Sequence, residues 1–530
     1  MNKSKKKERK LLFIKFAAMI ASVFCCCFLY VSSDAYSGKG NVIVALENTK
    51  GKGDDFRVYK QAEVTDFFDG CSKFNYHTPD GNQQFNFTKK QDGILQLTSY
   101  FGSDPNPIIP KSISVGSEEF VVQSLGDDAF SNSAITDVVI PSSVRSIGDR
   151  CFLKSSSLNF ISIPQNVTSL GHECFCDCKW LSEARLPDSL QSIGDSCFER
   201  CLYLSSINIP QNLTSLGSNC FRDCSSLCGE VRLPDSLQSI GDGCFAECSR
   251  LSSISISQNL TSLGDDCFRD CIALLGIYLP NSLISIGDHC FEMCSSLSSV
   301  YMSQSVTSLG ESCFYGCESL REILLPNSLE SIGDHCFEMC SSLLSVNMSQ
   351  SVTSLGHNCF YSCASLRKIR LPDSLESIGD HCFGECSFLR YINIPQGVTS
   401  LGRSCFYDCI SLRKISLPNS LGSIGNDCFA SCLVLSSINI PQNLTSLGDN
   451  SFYDCTSLCK IRLPNSIDGI GKFCFKGCIS LEEFNMPENL TIIGEGCFDF
   501  CKKLKKISLS GCSESIREYF FTNYNHIEQI

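Results

Sequence analysis

The chain has 530 residues, 43% of them hydrophobic, and a formal net charge of −13 from 43 Lys and Arg against 56 Asp and Glu. So acidic a balance argues against general nucleic-acid binding, which needs a basic surface. With 36 Phe, 38 Cys and a single Trp, the composition points to one core position used again and again rather than to several unrelated domains.

The first segment reads as an export signal. MNKSKKKERK is a basic head, Leu11 to Val31 is apolar except for Lys15 and Ser22, and Ser33-x-Ala35 comes next, so residues 1–35 form a secretory signal with a cut after Ala35 or, uncleaved, a signal anchor. Beyond it the chain carries 36 basic and 54 acidic residues, and the exported part is distinctly acidic. Cys25, Cys26 and Cys27 read as small apolar residues of an apolar run, with acylation as the alternative for an anchored chain. Localisation is expected to be secreted or at the cell surface, with membrane contact only through this N-terminal segment.

Residues 36–120 follow no repeat. Val42 to Leu46, Phe85 to Phe87 and Ile94 to Leu97 look like strands, with Asp80-Gly81 as a turn, and together they predict a small β cap over the first repeat.

From residue 121 to 511 one unit of about 23 residues recurs, with a glycine in every copy from Gly126 to Gly494 and a phenylalanine four places later in each, 17 copies in all. One copy runs Leu204, Ile207, Ile209, Pro210, Leu213, Leu216, Gly217, Cys220, Phe221, Cys224. A fixed period of this length means a solenoid, in which each unit buries its apolar face only against its neighbours. Leu204, Ile207 and Ile209 alternate as a strand does, and Pro210 ends it. Gly217 is expected to supply a positive φ at a bend, and C-F-x-x-C a turn of helix that fills the inside with thiols and one ring.

The columns L-x-x-I-x-I-P-x-x-L-x-x-L-G-x-x-C-F-x-x-C-x-x-L are similar to the BspA-like leucine-rich repeat, a surface-protein family, over roughly residues 120 to 510. One departure stands out: cysteine replaces the family's usual alanine before the phenylalanine in 15 of 17 copies, the exceptions being Ala129 and Ser451. The resemblance implies an extracellular binding or adhesive role without catalysis. The fold expected is an α/β repeat solenoid, a leucine-rich repeat arc of about 17 units with a parallel β-sheet on its concave face, short helical turns opposite, and a cap at both ends. Residues 512–530 leave the period and carry Ile516, Tyr519, Phe520 and Phe521 at helical spacing, the second cap.

The cysteines form two files along the stack, from Cys174 and Cys178 to Cys497 and Cys501. Packed beside Phe and Leu with no histidine at zinc spacing, they do not resemble metal ligands, and a feature copied so often does not mark a single active centre. Buried free thiols and inter-repeat disulfides both remain open. Ladder geometry favours the first, since parallel side chains keep their Cβ atoms too far apart for a relaxed bridge. The second file can also bring its S–H to backbone groups at the turn.

His289, His335 and His381 recur every 46 residues in G-D-H-C-F. Two repeats separate them, about 10 Å, so they read as solvated turn residues. No P-loop, H-E-x-x-H, G-x-S-x-G, Rossmann or EF-hand pattern occurs; no enzymatic activity and no cofactor are expected. Sequons at Asn86, Asn166, Asn212, Asn259, Asn347, Asn443 and Asn489 are possible N-glycosylation sites, several of them at one turn of the alternate repeat.

The strand positions flanking the central Ile should face away from the core. Down the stack these are mixed at Glu183/Arg185 and Glu230/Arg232, apolar or aromatic at Tyr278, Tyr301 and Leu324, then basic at Lys368, Arg370, Lys414, Lys460, Arg462 and Lys506, with Tyr391 among them. Positive charge and tyrosines gathered on one face of an acidic chain suit an anionic glycan or acidic protein segment on a host, matrix or cell-surface partner. The same residues could merely keep an exposed sheet soluble. The expected function is therefore an adhesin or recognition module; the alternative is a structural coat or spacer without a specific ligand.

Overall fold

The computed structural model describes residues 42–45, 63–65, 73–78, 81–90, 93–115, 118–509, 511–524 and 528–529. The basic head, the apolar run, Cys25–Cys27, and Leu46 and Asp80 of the expected cap lie outside these. Among the described residues no helix is long and apolar enough to cross a membrane. The chain divides after Leu227 into two compact units.

In the first unit, β1 (Val42–Ala45), β2 (Glu63–Thr65), β3 (Lys73–His77), β4 (Gln84–Lys89), β5 (Ile94–Tyr100), β6 (Ser112–Val115) and β7 (Glu118–Leu125) precede the repeats. β2 to β5 run as an antiparallel meander, β6 lies antiparallel to both β1 and β7, and β7 is parallel to β5. Alternate residues of β4 and β5 are buried, with Phe85, Phe87, Leu95 and Leu97 facing in, as period-2 patterning requires. β7 then pairs in parallel with Ser146–Ile147 of the first repeats. The cap thus covers the exposed edge of the stack by extending it.

Each repeat contributes two short strands. One spans the central Ile, as in Glu183–Arg185, Glu322–Leu324 and Lys368–Arg370. The other is a two-residue strand just before the glycine, as in Ser169–Leu170 and Ser331–Ile332. Both pair in parallel and in register with the neighbouring copies: Glu322 lies beside Ser345 and Ser345 beside Lys368, while Ser331 lies beside Ser354. A parallel ladder with side chains in register stacks like on like, so each column of the sequence becomes a column in space.

Two expectations are corrected here. The C-F-x-x-C segment is not a turn of helix. The residues two and six places after the column glycine are left-handed, as at His289 (φ 55°) and Met293 (φ 57°) after Gly287, so the segment is a succession of tight turns. Its amides look to the next repeat instead of up a helix: His289 N donates to Glu311 O (2.7 Å), Phe291 N to Cys313 O (2.8 Å) and Met293 N to Tyr315 O (2.7 Å). Asn, Asp, Gly and Ser recur at these two positions because they tolerate left-handed backbone. The column glycine, in turn, is not at positive φ. It is required by crowding: a Cβ on Gly217 would lie 2.5 Å from both Asp195 N and Gly194 C of the preceding repeat, and one on Gly379 2.6 Å from His357 N.

The interior is built from these columns. Phe314, Phe337 and Phe360 are fully buried and stack at 5.5 and 5.3 Å with their planes within 7° of parallel, and Phe130, Phe152 and Phe175 do the same in the first unit. The caps continue the rings. Phe85 stands 5.1 Å from Tyr100 and Tyr100 5.3 Å from Phe130. At the other end α1 (Glu514–Asn523), N-capped by Ser513, sets Phe520 5.7 Å from Phe498. Ile516 and Phe520 of α1 are buried and Phe521 is exposed.

All described cysteines are free thiols. Those of the second file donate S–H to the phenylalanine carbonyl of the preceding repeat, as in Cys317 to Phe291 O and Cys340 to Phe314 O, both 3.2 Å. At Ser155, where serine stands in that file, the bond persists, with Oγ donating to Phe130 O at 2.6 Å. The position selects a small donor that gives a buried carbonyl a second bond, beside the amide that Cys317 N donates to Phe314 O. Burial raises the thiol pKa, to about 12 for Cys340, where the bonding to Cys317 backbone only partly offsets it.

Candidate functional site

The strand spanning the central Ile alternates strictly. Ile369, Ile392 and Ile415 are buried, and the residues on either side of each are exposed, so the chain must present whatever stands there to solvent. All ten candidate residues lie on this face, in the second unit.

Register decides which of them meet. Tyr278 lies beside Tyr301, with the rings parallel at 4.2 Å and both more than half exposed. The neighbouring Tyr301 phenol pushes the Tyr278 pKa upward. Leu324, 71% exposed, lies beside Asn347, which lies beside Arg370. Lys368 lies beside Tyr391 and Tyr391 beside Lys414. These last residues line a groove of about 820 Å³ that also takes in Arg367, Asn393 and Asp373. Lys460, Arg462 and Lys506 are set apart from it: Lys460 and Arg462 pair with Ser437 and Asn439 on one side, and Glu483 stands in register between Lys460 and Lys506.

Part of the basic surface escapes the alternation rule. Arg321, Arg367, Arg390 and Arg413 occupy the column two places before the Ile, where strand alternation would turn a side chain inward, yet all four are exposed. The column lies just ahead of the strand, with Arg367 N bonded to Leu344 O and Arg413 N to Arg390 O. The recurrence of Arg at one column was the available signal.

Charge pairing divides the face. Arg185 bonds Glu183 and Arg232 bonds Glu230, each at 2.7 Å. Among the described residues, Arg367, Lys368, Arg370, Arg390, Arg413 and Lys414 make no ion pair. In the groove Asp373 stands against Arg367, Lys368, Arg370 and Lys414, so positive charge is locally in excess, on a chain whose net charge is −13.

The other candidates resolve into structure. His289 and His335 are left-handed turn residues whose Nδ1 contacts Glu292 (2.7 Å) and Glu338 (2.5 Å). A second groove, about 480 Å³, runs along Gly148, Gly171, Gly194 and Gly217 with Asp149, His172 and Asp195. Its polar groups are engaged with backbone: Asp149 Oδ1 accepts from His172 N, His172 Nδ1 from Asp195 N, and Asp195 Oδ1 from Ser218 N. Among the described residues no cluster of metal ligands occurs. Of the sequon asparagines, Asn166, Asn212, Asn259, Asn443 and Asn489 each donate Nδ2 to a carbonyl 24 residues earlier at 2.7–2.9 Å. Asn86 donates to Ser99 Oγ, and Asn347 is exposed on the sheet face.

A family model described as the BspA type leucine rich repeat region matches residues 123–228, 228–343, 307–436 and 422–530. Among solved structures, a leucine-rich repeat protein from Bacteroides ovatus is 26% identical, covering 78% of this chain and 98% of its own, with a TM-score of 0.57. A leucine rich cell surface protein from Faecalibacterium prausnitzii is 21% identical over 87% of this chain and 98% of its own (TM-score 0.36). The pneumococcal vaccine antigen PcpA is 16% identical over 86% and 98% (TM-score 0.35). No curated protein matches the sequence.

Proposed function

Because the chain belongs to the BspA-type leucine-rich repeat family, we propose that it is a secreted or cell-surface recognition module that binds macromolecules through the sheet face of its second unit. One observation carries this reading: six exposed cations on adjacent strands, with no ion pair among the described residues, on an acidic protein. A face kept merely soluble needs both signs interspersed, as at Glu183/Arg185 and Glu230/Arg232. A patch with positive charge in excess raises the local concentration of anionic partners and the rate of encounter. A catalytic role finds no support, since the His and Asp residues that look like chemistry are engaged in turns and backbone bonds.

The test is attachment of the full chain to cell-surface and matrix preparations, compared with a variant carrying Arg367→Ser, Lys368→Ser, Arg370→Ser, Arg390→Ser, Arg413→Ser and Lys414→Ser. Attachment should fall and lose most of its salt dependence. Undiminished attachment by the variant would favour the coat or spacer role.

A further inference from the structure

Two features of the sheet face around the groove go beyond charge. Arg367, Arg390 and Arg413 stand at the same column of three consecutive repeats, so in a parallel in-register ladder they succeed one another at the strand spacing, about 4.8 Å. Beside them Lys368 and Lys414 are two strands apart, and between these two stands Tyr391, 56% exposed. The face therefore carries a file of exposed arginines flanked by a second file that alternates cation, ring, cation. Asn347 and Asn393 sit on the two strands neighbouring Arg370, supplying amides that both donate and accept.

A ligand that satisfies all three elements at once must be linear, carry anionic groups at short regular intervals, and offer apolar patches and hydroxyls between them. An acidic peptide meets the charge requirement, but it projects successive side chains to opposite sides and gives the ring and the amides nothing regular to meet. A polysaccharide of charged rings meets all three: carboxylate or sulfate groups for the Arg forks, C–H faces for the tyrosine ring, and hydroxyls for the asparagines. The ring repeat of a linear pyranose chain is also of the same order as a strand spacing. Resting on the recognition role proposed above, we infer that this face, with the groove at Arg367, Lys368, Tyr391 and Lys414 and the exposed Arg390 and Arg413 beside it, binds a linear acidic polysaccharide, laid along the stack, with Tyr391 as the platform for one sugar ring and Asp373 placed to accept from its hydroxyls.

The experiment measures binding of the full chain to heparin fragments of graded length, to neutral dextran, and to polyglutamate matched to the heparin in charge. Heparin should bind with an affinity that rises with length and then levels off once the fragment spans the three arginines. Dextran should not bind, and polyglutamate should bind roughly tenfold more weakly or worse. Arg367→Ser/Arg390→Ser/Arg413→Ser should weaken heparin binding by roughly tenfold or more and flatten its salt dependence. Tyr391→Ala should weaken heparin while leaving polyglutamate unchanged. Arg185→Ser/Arg232→Ser, removing cations already paired with Glu183 and Glu230, serves as the control and should change neither. Equal affinity for polyglutamate, indifference to Tyr391→Ala, or heparin binding that survives the triple arginine variant would each overturn the polysaccharide inference. So would an absence of heparin binding. None of these results decides the recognition role, which is read from attachment to cells and matrix.

Discussion

Phe337 and Phe360 sit in equivalent surroundings, each between two parallel rings and beside two thiols. Lys368 and Arg370, in the strand after Phe360, share their columns with Glu322 and Leu324, with Ser345 and Asn347, and with Tyr391 and Asn393. Inside, a change at one repeat leaves its two neighbours with a void or a clash, so every copy keeps the phenylalanine and the other buried columns vary only among small or aliphatic residues with rare exceptions such as Phe484. On the sheet face a side chain meets solvent, and each copy is free to differ. What repeats in this protein is what must pack; what varies is what is available to bind.

The most demanding trial of the inner columns is alkali. The unfolded thiol ionises near 9, whereas burial raises the folded-state value to about 12 at Cys340, Cys455 and Cys501. Below pH 9 both states keep their protons and the thiols leave stability unchanged. Above it only the unfolded chain sheds protons, so stability falls as pH rises from 9 toward 12. Many other thiols along both files, among them Cys178, Cys294, Cys317, Cys336, Cys363 and Cys409, are raised by the same burial, and with each contributing up to about 1.4 kcal/mol per pH unit the drop is cumulative. Thermal melts followed by circular dichroism should show the melting temperature collapsing just above pH 9. A flat profile to pH 10.5 would mean that the thiols are bridged, and the inner columns would then be covalent staples.

Single substitutions sharpen the contrast at a smaller scale. Phe337→Ala opens a cavity between two stacked rings and should cost about 3–5 kcal/mol in denaturant unfolding. Cys340→Ala removes the donor to Phe314 O and should cost about 1–3 kcal/mol, while Cys340→Ser, copying the bond that Ser155 makes, should recover much of it. Cys336→Ala, at the first file, where Ala129 already occurs, should cost about 1 kcal/mol or less. Equal losses from Cys340→Ala and Cys340→Ser would show that the second file selects for size and not for the hydrogen bond.

The face should be nearly silent in the same measurement. Lys368→Ser, Arg370→Ser and Lys414→Ser together should move stability by about 0.5 kcal/mol or less, since all three are exposed and, among the described residues, make no ion pair. A slight gain is the more informative result, because it would measure the repulsion among like charges held for binding.

The sequence made the period, the phenylalanine column, the buried Ile strand and the outward positions beside it readable, because each depends on a pattern repeated 17 times. The helical cap residues Ile516 and Phe520 were also readable from spacing. Three features were not. Ser331–Ile332 is too short to show any period of its own. The four-residue spacing of Cys336 and Cys340 fits a turn of helix as well as the left-handed turns at His335 and Met339, and only the amide bonds to the next repeat separate the two. Gly217 and Gly379 looked like bends because the reason for a glycine there lies in the neighbouring repeat. For the site, the two files beside the Ile were legible and the Arg367–Arg413 file was not, because strand alternation assigns it inward.

In each unit the ring column reaches into a cap, through Tyr100 and Phe85 in the first and through Phe520 in the second. Neither terminus therefore reads how many copies lie between them. Genetic exchange between similar repeats can add or delete whole copies in frame, and every new junction is one the protein already makes. The file of arginines lengthens or shortens with it, so that the reach of the binding face is open to selection as a copy number, independently of any change in the residues themselves.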